Sequence, residues 1–451
     1  MTRFDTGFVR AALGEPASGP SPGYTAISTD TRTLLPGALF VALRGERFDG
    51  HDHLAAARAA GAAGAVVRAG TAPIPGLVLH PVADTLRAYG RLARAHRDRL
   101  PGPVVAVAGS NGKTSTRAMV AAVLATGHRT HATRGNLNNL VGVPLTILEA
   151  PEGTGALVVE AGASEPGEVA RLREIIGPDV GVITNVGEEH LEGFGSLAGV
   201  LEEELALADG VPLVVVGTDP PALAEGARRR AGRTVTAGLA DADVVPSVVG
   251  LDGTGRAAVE VDGVRFRLPL PGRHLAANAM LAWALVREWG LDRAAAASAL
   301  ERLEVPGGRS EVVEAAGLLI LNDSYNANPA SFRAAIATAQ AMRGRRRLVF
   351  LAGTMREMGA SAPALHAGIA RELVALEPDL LGAVGDFVPA LAPHAGHLGD
   401  RLLTAPDPEA LGALVAPRLR PGDLVVLKAS RGVALERILP LLTGQPTSSS
   451  H

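Results

Sequence analysis

Val104–Thr116 reads VVAVAGSNGKTST, and the rest of the chain is organised around it. Val104 to Ala108 is a short run of small and β-branched apolar residues, the composition of a parallel strand buried on both faces. The run breaks at Gly109-Ser110-Asn111-Gly112. Lys113-Thr114-Ser115 then opens a segment with helical spacing at Ala118, Met119, Ala122 and Val123. Strand, glycine loop, Lys-Thr and helix make up the arrangement that cradles phosphates. Glycines let backbone N–H groups approach the oxygens, and the helix N-terminus adds partial positive charge. The lysine and hydroxyl reach the terminal phosphates and Mg²⁺. Val107 stands where the strict pattern has glycine, and an ordinary strand-turn-helix connection is the plainer alternative.

The 451 residues suggest about three domains. A hydrophobic share of 47% with 20% charged residues fits a globular protein with a large core. The net charge of −3 gives no electrostatic case for binding nucleic acid or a membrane surface. The absence of cysteine excludes a disulfide, a thiolate zinc site and a cysteine nucleophile. MTRFDTGFVRAALG lacks the basic segment and apolar stretch of a signal peptide, so a cytoplasmic location is expected. Lysine occurs only at Lys113 and Lys428 among 43 lysine and arginine residues. Arginine therefore supplies the generic surface charge, and the two lysines are expected to mark places that need a compact ammonium, the alternative being chance survival.

Residues 1–99 have the pattern of a small α/β unit. A strand is expected at Leu39–Leu43, a helix at Leu54–Ala60, a strand at Ala65–Val67 and a helix at Val82–Leu100. Pro101-Gly102-Pro103 then has the composition of a rigid linker. In residues 100–308, Leu157–Glu160, Val180–Thr184 and Leu213–Val216 are further apolar strands. Right-handed crossovers place their C-terminal ends on the same edge as the glycine loop. Glu160 and His190 follow such strands, and carboxylate, imidazole and the Thr114 hydroxyl are compatible Mg²⁺ ligands. Small antiparallel strands are expected within Asp243–Leu270, followed by a helix carrying Asn278. Residues 309–451 form a third α/β unit with strands at Leu318–Leu321, Leu348–Ala352 and Leu424–Lys428. Ser331 is expected to N-cap the helix after the first of these.

Seven segments follow one another in a familiar order: AGSNGKTST (108–116), RGNLNNLVGVPLTIL (134–148), VVEAGASEPGEV (158–169), TNVGEEHLEGFGS (184–196), GRHLAANA (272–279), NDSYNANPAS (322–331) and KASRG (428–432). In these the chain resembles the Mur ligase family of ATP-dependent amide-forming enzymes. The GNLNN…GVPLT and DSYNANP segments resemble its D-Ala-D-Ala-adding branch. The resemblance implies an α/β fold of three domains. A central P-loop parallel-sheet domain is flanked by a small N-terminal α/β domain and a C-terminal Rossmann-like α/β domain. It also implies ATP and Mg²⁺ as cofactors and UDP-MurNAc-tripeptide and D-Ala-D-Ala as small-molecule substrates, with a monomer expected. Carried over by position, Gly109, Ser110, Asn111, Gly112, Lys113, Thr114, Ser115, Asn278, Arg309 and Asp323 would contact ATP. Thr114, Glu160, His190 and Glu204 would hold Mg²⁺, with Lys113, Glu160, His190 and Glu204 forming the catalytic set. Thr31, Arg32, Arg47, Asn136, Asn138, Asn139, Tyr325, Asn326, Asn328 and Lys428 would line the substrate sites.

Three segments depart from the family pattern. A carbamylated lysine usually lies 14 residues after the metal-binding histidine, and this chain has Glu204 there. Its carboxylate is expected to replace the carbamate, the alternative being a solvated acidic helix start. Gly353-Thr354-Met355 stands for the usual Gly-Asp-Met, and Ser164-Glu165 for Asn-His. Competing possibilities are a sibling amide ligase on this fold, of the folylpolyglutamate synthase or secondary-metabolite kind, and a nucleotide-binding regulator without catalysis.

Overall fold

The computed structural model describes residues 2–16, 23–304 and 307–444. Contacts divide the chain into two compact units. One comprises Met1–Ala106, His128–Ala163 and Gly167–Val180; the other comprises Val107–Gly127, Ser164–Pro166 and Gly181–His451.

The first unit contains a four-stranded parallel sheet in the order Ile27–Ser28, Leu39–Val41, Gly64–Arg68, Val78–Val82. Phe40, Ala42, Leu54, Ala57, Ala65 and Val67 form part of the core beneath it. The helix expected from Val82 starts later, at Thr85, and runs to Arg97. Asp84 sets that start: its carboxylate accepts from the N–H groups of Leu86 and Arg87. Val82 instead ends the edge strand Val78–Val82, where Pro81 is tolerated because an edge leaves one row of N–H groups unpaired. Farther along the chain, Thr130–Ala132 pairs in parallel with Ala156–Glu160. Leu157 N donates to Pro103 O at 3.0 Å, beside the start of Val104–Ala108.

In the second unit the end of Val104–Ala108 leads into the helix Lys113–Leu124. Three bonds extend the parallel ladder outward from it: Thr184 N to Ala108 O, Gly217 N to Ile183 O and Ala237 N to Val216 O. These join the strands Val180–Ile183, Leu213–Val216 and Arg233–Thr236. Val248–Leu251, Arg256–Val261 and Val264–Pro271 form an antiparallel sheet, as the alternation in that stretch suggested. The helix Arg273–Glu288 follows and buries Asn278.

The last sheet has six strands in the order Glu311–Ala315, Leu318–Asp323, Leu424–Lys428, Leu348–Ala352, Leu380–Ala383, Leu402–Thr404. Only the first is antiparallel. Successive residues of its central strands enter opposite cores. Leu321, Phe350 and Val426 pack on one side, and Ile320, Val349, Leu351, Val425 and Leu427 on the other. Burial on both faces is why these strands read as unbroken apolar runs. The register sets Asp323 beside Lys428 and Lys428 beside Ala352, so three loops leave one edge together. No helix among the described residues is long and apolar enough to cross a membrane.

Candidate active site

The glycine loop is shaped by close packing. Gly109 has φ +118° and Gly112 φ +80°. A Cβ on Gly109 would collide with Thr184 Oγ1, and one on Gly112 would lie 2.6 Å from Asn278 Nδ2. Asn278 therefore lies directly against the loop. The helix Lys113–Leu124 begins at Gly112 without a side-chain cap, and its positive dipole end favours an anion placed there. Lys113 curls back over the loop: Nζ donates to Gly109 O at 2.5 Å, Ser110 O at 3.2 Å and Glu189 Oε1 at 3.4 Å.

Two buried carboxylates accompany that ammonium. Glu204 Oε2 accepts from Gly109 N at 2.7 Å. Burial pushes its pKa up to about 8; Lys113 opposes the shift, and neighbouring Glu189 and Glu203 add to it. Glu189 is also shifted upward by burial, against the pull of Lys113 and His190. Its Oε2 is buried without a hydrogen-bond partner. The sequence did not single out Glu189, because its closeness to Lys113 depends on a fold that brings together residues 76 apart.

Asn111 is held on two sides. Its N–H donates to Asn185 Oδ1 at 3.0 Å, and its carbonyl accepts from Asn185 Nδ2 at 3.0 Å and Thr184 Oγ1 at 2.7 Å. Its side-chain oxygen accepts from Asn328 Nδ2 at 2.9 Å. Asn328, not Ser331, is the N-cap of the helix Pro329–Arg343. Ser331 closes the reciprocal capping box, its N–H bonding Asn328 Oδ1 and its hydroxyl accepting from Asn328 N. One asparagine thus caps a helix and reaches the glycine loop.

At the edge of the last sheet, Lys428 Nζ donates to Asp323 Oδ2 at 2.6 Å and to Asn326 O at 2.7 Å. Ser310 N occupies the other Asp323 oxygen at 3.0 Å. The Arg309 guanidinium lies 3.8 Å above the Tyr325 ring. His190 takes a left-handed conformation, φ +48°, and its Nδ1 meets Glu357 Oε2 from the loop after Leu348–Ala352.

The first unit gathers the remaining candidates in two places. Glu160 is buried; its N–H donates to Thr133 Oγ1 at 3.0 Å and its Oε1 accepts from Asn138 Nδ2 at 3.0 Å. Asn139 Oδ1 accepts from Val141 N and Gly142 N at the start of the helix Gly142–Glu149, while Asn136 O accepts from Asn138 N. Near the four-stranded sheet, Arg32 forks onto Asp30, with Thr31 between them, and Arg47 is exposed. Asp49 and Arg68 N fix the His51 ring nearby, through Nδ1 and Nε2 respectively.

No three His, Cys, Asp or Glu residues cluster as a metal cage among the described residues. Mg²⁺ is nonetheless compatible with what is present. It prefers oxygen ligands, needs only one or two protein carboxylates alongside phosphates and water, and the orphaned Glu189 oxygen and the Glu204 carboxylate lie at the loop. For ATP, the two positive-φ glycines and the uncapped helix start provide the matching cradle.

Three family models match in chain order: "Mur ligase family, catalytic domain" over residues 23–97, "Mur ligase middle domain" over 107–286 and "Mur ligase, glutamate ligase domain" over 308–431. The chain belongs to the Mur ligase family. This Mur ligase is 36% identical over 444 residues to the UDP-N-acetylmuramoyl-tripeptide–D-alanyl-D-alanine ligase of Bacillus subtilis, covering 94% of each chain. It is also 36% identical to the ligase of that name from Escherichia coli, covering 92% of this chain and 93% of the other. Among solved structures it resembles MurF from Acinetobacter baumannii at a TM-score of 0.87 and 28% identity, covering 98% and 99% of the two chains. A MurF ligase from Thermotoga maritima in complex with ADP matches at a TM-score of 0.81 and 29% identity, over 93% and 97%.

Proposed function

We propose that this chain joins D-Ala-D-Ala to the terminal carboxylate of UDP-MurNAc-tripeptide, consuming ATP in cytoplasmic peptidoglycan precursor synthesis. The observation that carries the proposal is the bond from Asn328 to Asn111. Through it the NDSYNANPAS segment, which resembles the D-Ala-D-Ala-adding branch, is bonded to the glycine loop, and this supports the reading. Residues 1–99 bind the UDP-sugar, 100–308 bind ATP and 309–451 bring the amine substrate, the whole acting as a monomer.

The tripeptide carboxylate oxygen attacks the γ-phosphorus of ATP, and the bond to the ADP oxygen breaks. The dipeptide nitrogen then attacks the acyl carbon of the resulting acyl phosphate. The carbon–oxygen bond breaks, phosphate departs and the nitrogen loses its proton. Two anions must be held together before the first step, so positioning and charge neutralisation dominate. Lys113 and the N–H groups of residues 109–115 hold the triphosphate, with Asn278 beside the loop and Arg309 and Asp323 approaching from the last segment. Thr114, Glu160, His190 and Glu204 hold Mg²⁺, which when bound screens the phosphate charge. In Glu204 a carboxylate takes the place of a carbamate. Thr31, Arg32 and Arg47 contact the uridine nucleotide, and Asn136, Asn138 and Asn139 the sugar-peptide. Tyr325, Asn326, Asn328 and Lys428 line the amine side.

A coupled assay of ADP release tests the assignment, using UDP-MurNAc-tripeptides that differ at the third residue, with and without D-Ala-D-Ala. ADP release should require both substrates. Release that ignores the dipeptide contradicts the proposal.

A further inference from the structure

Glu357 lies outside the residue set assigned above, yet several features hold it against His190. It sits in the loop after Leu348–Ala352, 167 residues away in sequence, and its carboxylate meets His190 Nδ1. Both residues adopt a left-handed backbone, φ +64° for Glu357 and +48° for His190. That conformation is uncommon outside glycine and persists where surrounding contacts over-determine it.

Those contacts are present on both sides. Met355 N donates to His366 Nε2 at 2.9 Å, Arg356 N to Ser430 Oγ at 2.9 Å, and the Arg356 guanidinium to Gly432 O at 2.8 Å. Met355 and Met358 are buried in the core of the last segment. The loop is therefore pinned on either side of Glu357. Across the contact, Glu192 N donates to Glu357 O at 3.2 Å. Gly359, whose φ of +54° favours glycine, lies against the same segment: a Cβ there would sit in van der Waals contact, 3.4 Å from Glu192 Cα. The Phe194 ring packs edge-on to the His190 imidazole, with centroids 6.3 Å apart.

We infer that Glu357 is a positioning residue for His190: it accepts the Nδ1 proton, fixes the ring and leaves the Nε2 lone pair for the metal. This rests on the proposed role of His190 as a Mg²⁺ ligand. A histidine that binds a metal through one nitrogen is commonly oriented by a carboxylate on the other, and losing that partner weakens metal binding about 10- to 100-fold. Because Glu357 comes from the last segment and His190 from the middle one, the metal site is complete only when these segments are docked.

The test uses the full chain with Mn²⁺ as the probe and the β,γ-imido analogue of ATP. Free Mn²⁺ is followed by electron paramagnetic resonance, and spin-echo modulation reports histidine nitrogen on the ion. Glu357→Gln should weaken Mn²⁺ binding about 10-fold or more and diminish the nitrogen modulation, while the thermal unfolding midpoint is unchanged. Unchanged or tighter Mn²⁺ binding in Glu357→Gln, alongside a clear loss in His190→Ala, overturns the positioning role alone. No loss in His190→Ala overturns the metal-ligand assignment as well. Independently of any Glu357 variant, a ¹⁵N-histidine spectrum of the wild-type chain should show His190 protonated at Nδ1, and the Nε2–H tautomer contradicts the inference.

Discussion

Asn328 Nδ2 donates to Asn111 Oδ1 at 2.9 Å while Asn328 Oδ1 caps the helix Pro329–Arg343. The two roles use different atoms of one carboxamide and can be separated by substitution. Asn328→Ala removes both and should cost about 1 kcal/mol of stability, read by urea unfolding. Asn328→Asp keeps an oxygen for the cap but loses the donor. Its stability should stay near wild type while the KM for ATP rises about fivefold, the worth of one net hydrogen bond.

Lys428 and Asp323 form the other short polar link, with the lysine side chain only 3% exposed. Lys428→Met leaves the carboxylate without its counter-charge and should lower stability by about 3 kcal/mol. Lys428→Arg should not restore wild-type behaviour. A planar fork is bulkier than an ammonium, and the ammonium here also bonds Asn326 O. Chemical denaturation and kcat measured on both variants check this.

Glu204 combines a hydrogen bond to Gly109 N with a proposed metal contact. Glu204→Gln retains an acceptor for Gly109 and removes the charge; Glu204→Ala removes both. Both variants should need about tenfold or more Mg²⁺ for half-maximal rate, and only the alanine form should lose stability. Full turnover of both at limiting Mg²⁺ contradicts the substitution of carboxylate for carbamate.

Two histidines in the first unit set an acid limit. Burial lowers the pKa of His96, whose Nε2 lies 3.0 Å from Ala150 O, and that of His131, 3.1 Å from Thr146 O. In the unfolded chain both titrate near 6.5. Above that pH neither state is protonated, and their stabilising contribution is fully present. As pH falls from 7 towards 5, the unfolded chain takes up protons that the folded chain resists, so stability drops. Scanning calorimetry should show the unfolding midpoint declining over this range, with a shallower decline in His96→Gln.

Much of the fold was legible because its strands are buried on both faces and read as plain apolar runs, as in Val104–Ala108 and Leu424–Lys428. Val78–Val82 was missed because an edge strand containing His80 and Pro81 carries no such run. The sequence points to Ser331 as the cap, whereas Asn328 caps the helix and Ser331 is its partner in the capping box, both being hydrogen-bonding residues of N-cap type. The glycine loop, Glu204 and Asn278 were visible as residues and meet around one loop. Glu189 and Glu357 were not visible. Nothing local distinguishes one glutamate from its neighbours until Lys113 and His190 are brought alongside. Asn139, expected at the substrate, also accepts from Val141 N and Gly142 N ahead of the helix Gly142–Glu149, bonds its sequence neighbours do not announce.

The central proposal is that the triphosphate on the Lys113 loop activates a peptide carboxylate. Isotope transfer tests it most directly. UDP-MurNAc-tripeptide carrying ¹⁸O in its terminal carboxylate is turned over with ATP and D-Ala-D-Ala, and the released phosphate is analysed by mass spectrometry. An acyl phosphate route delivers one carboxylate oxygen to each phosphate. Phosphate released during amide formation without that label would contradict it.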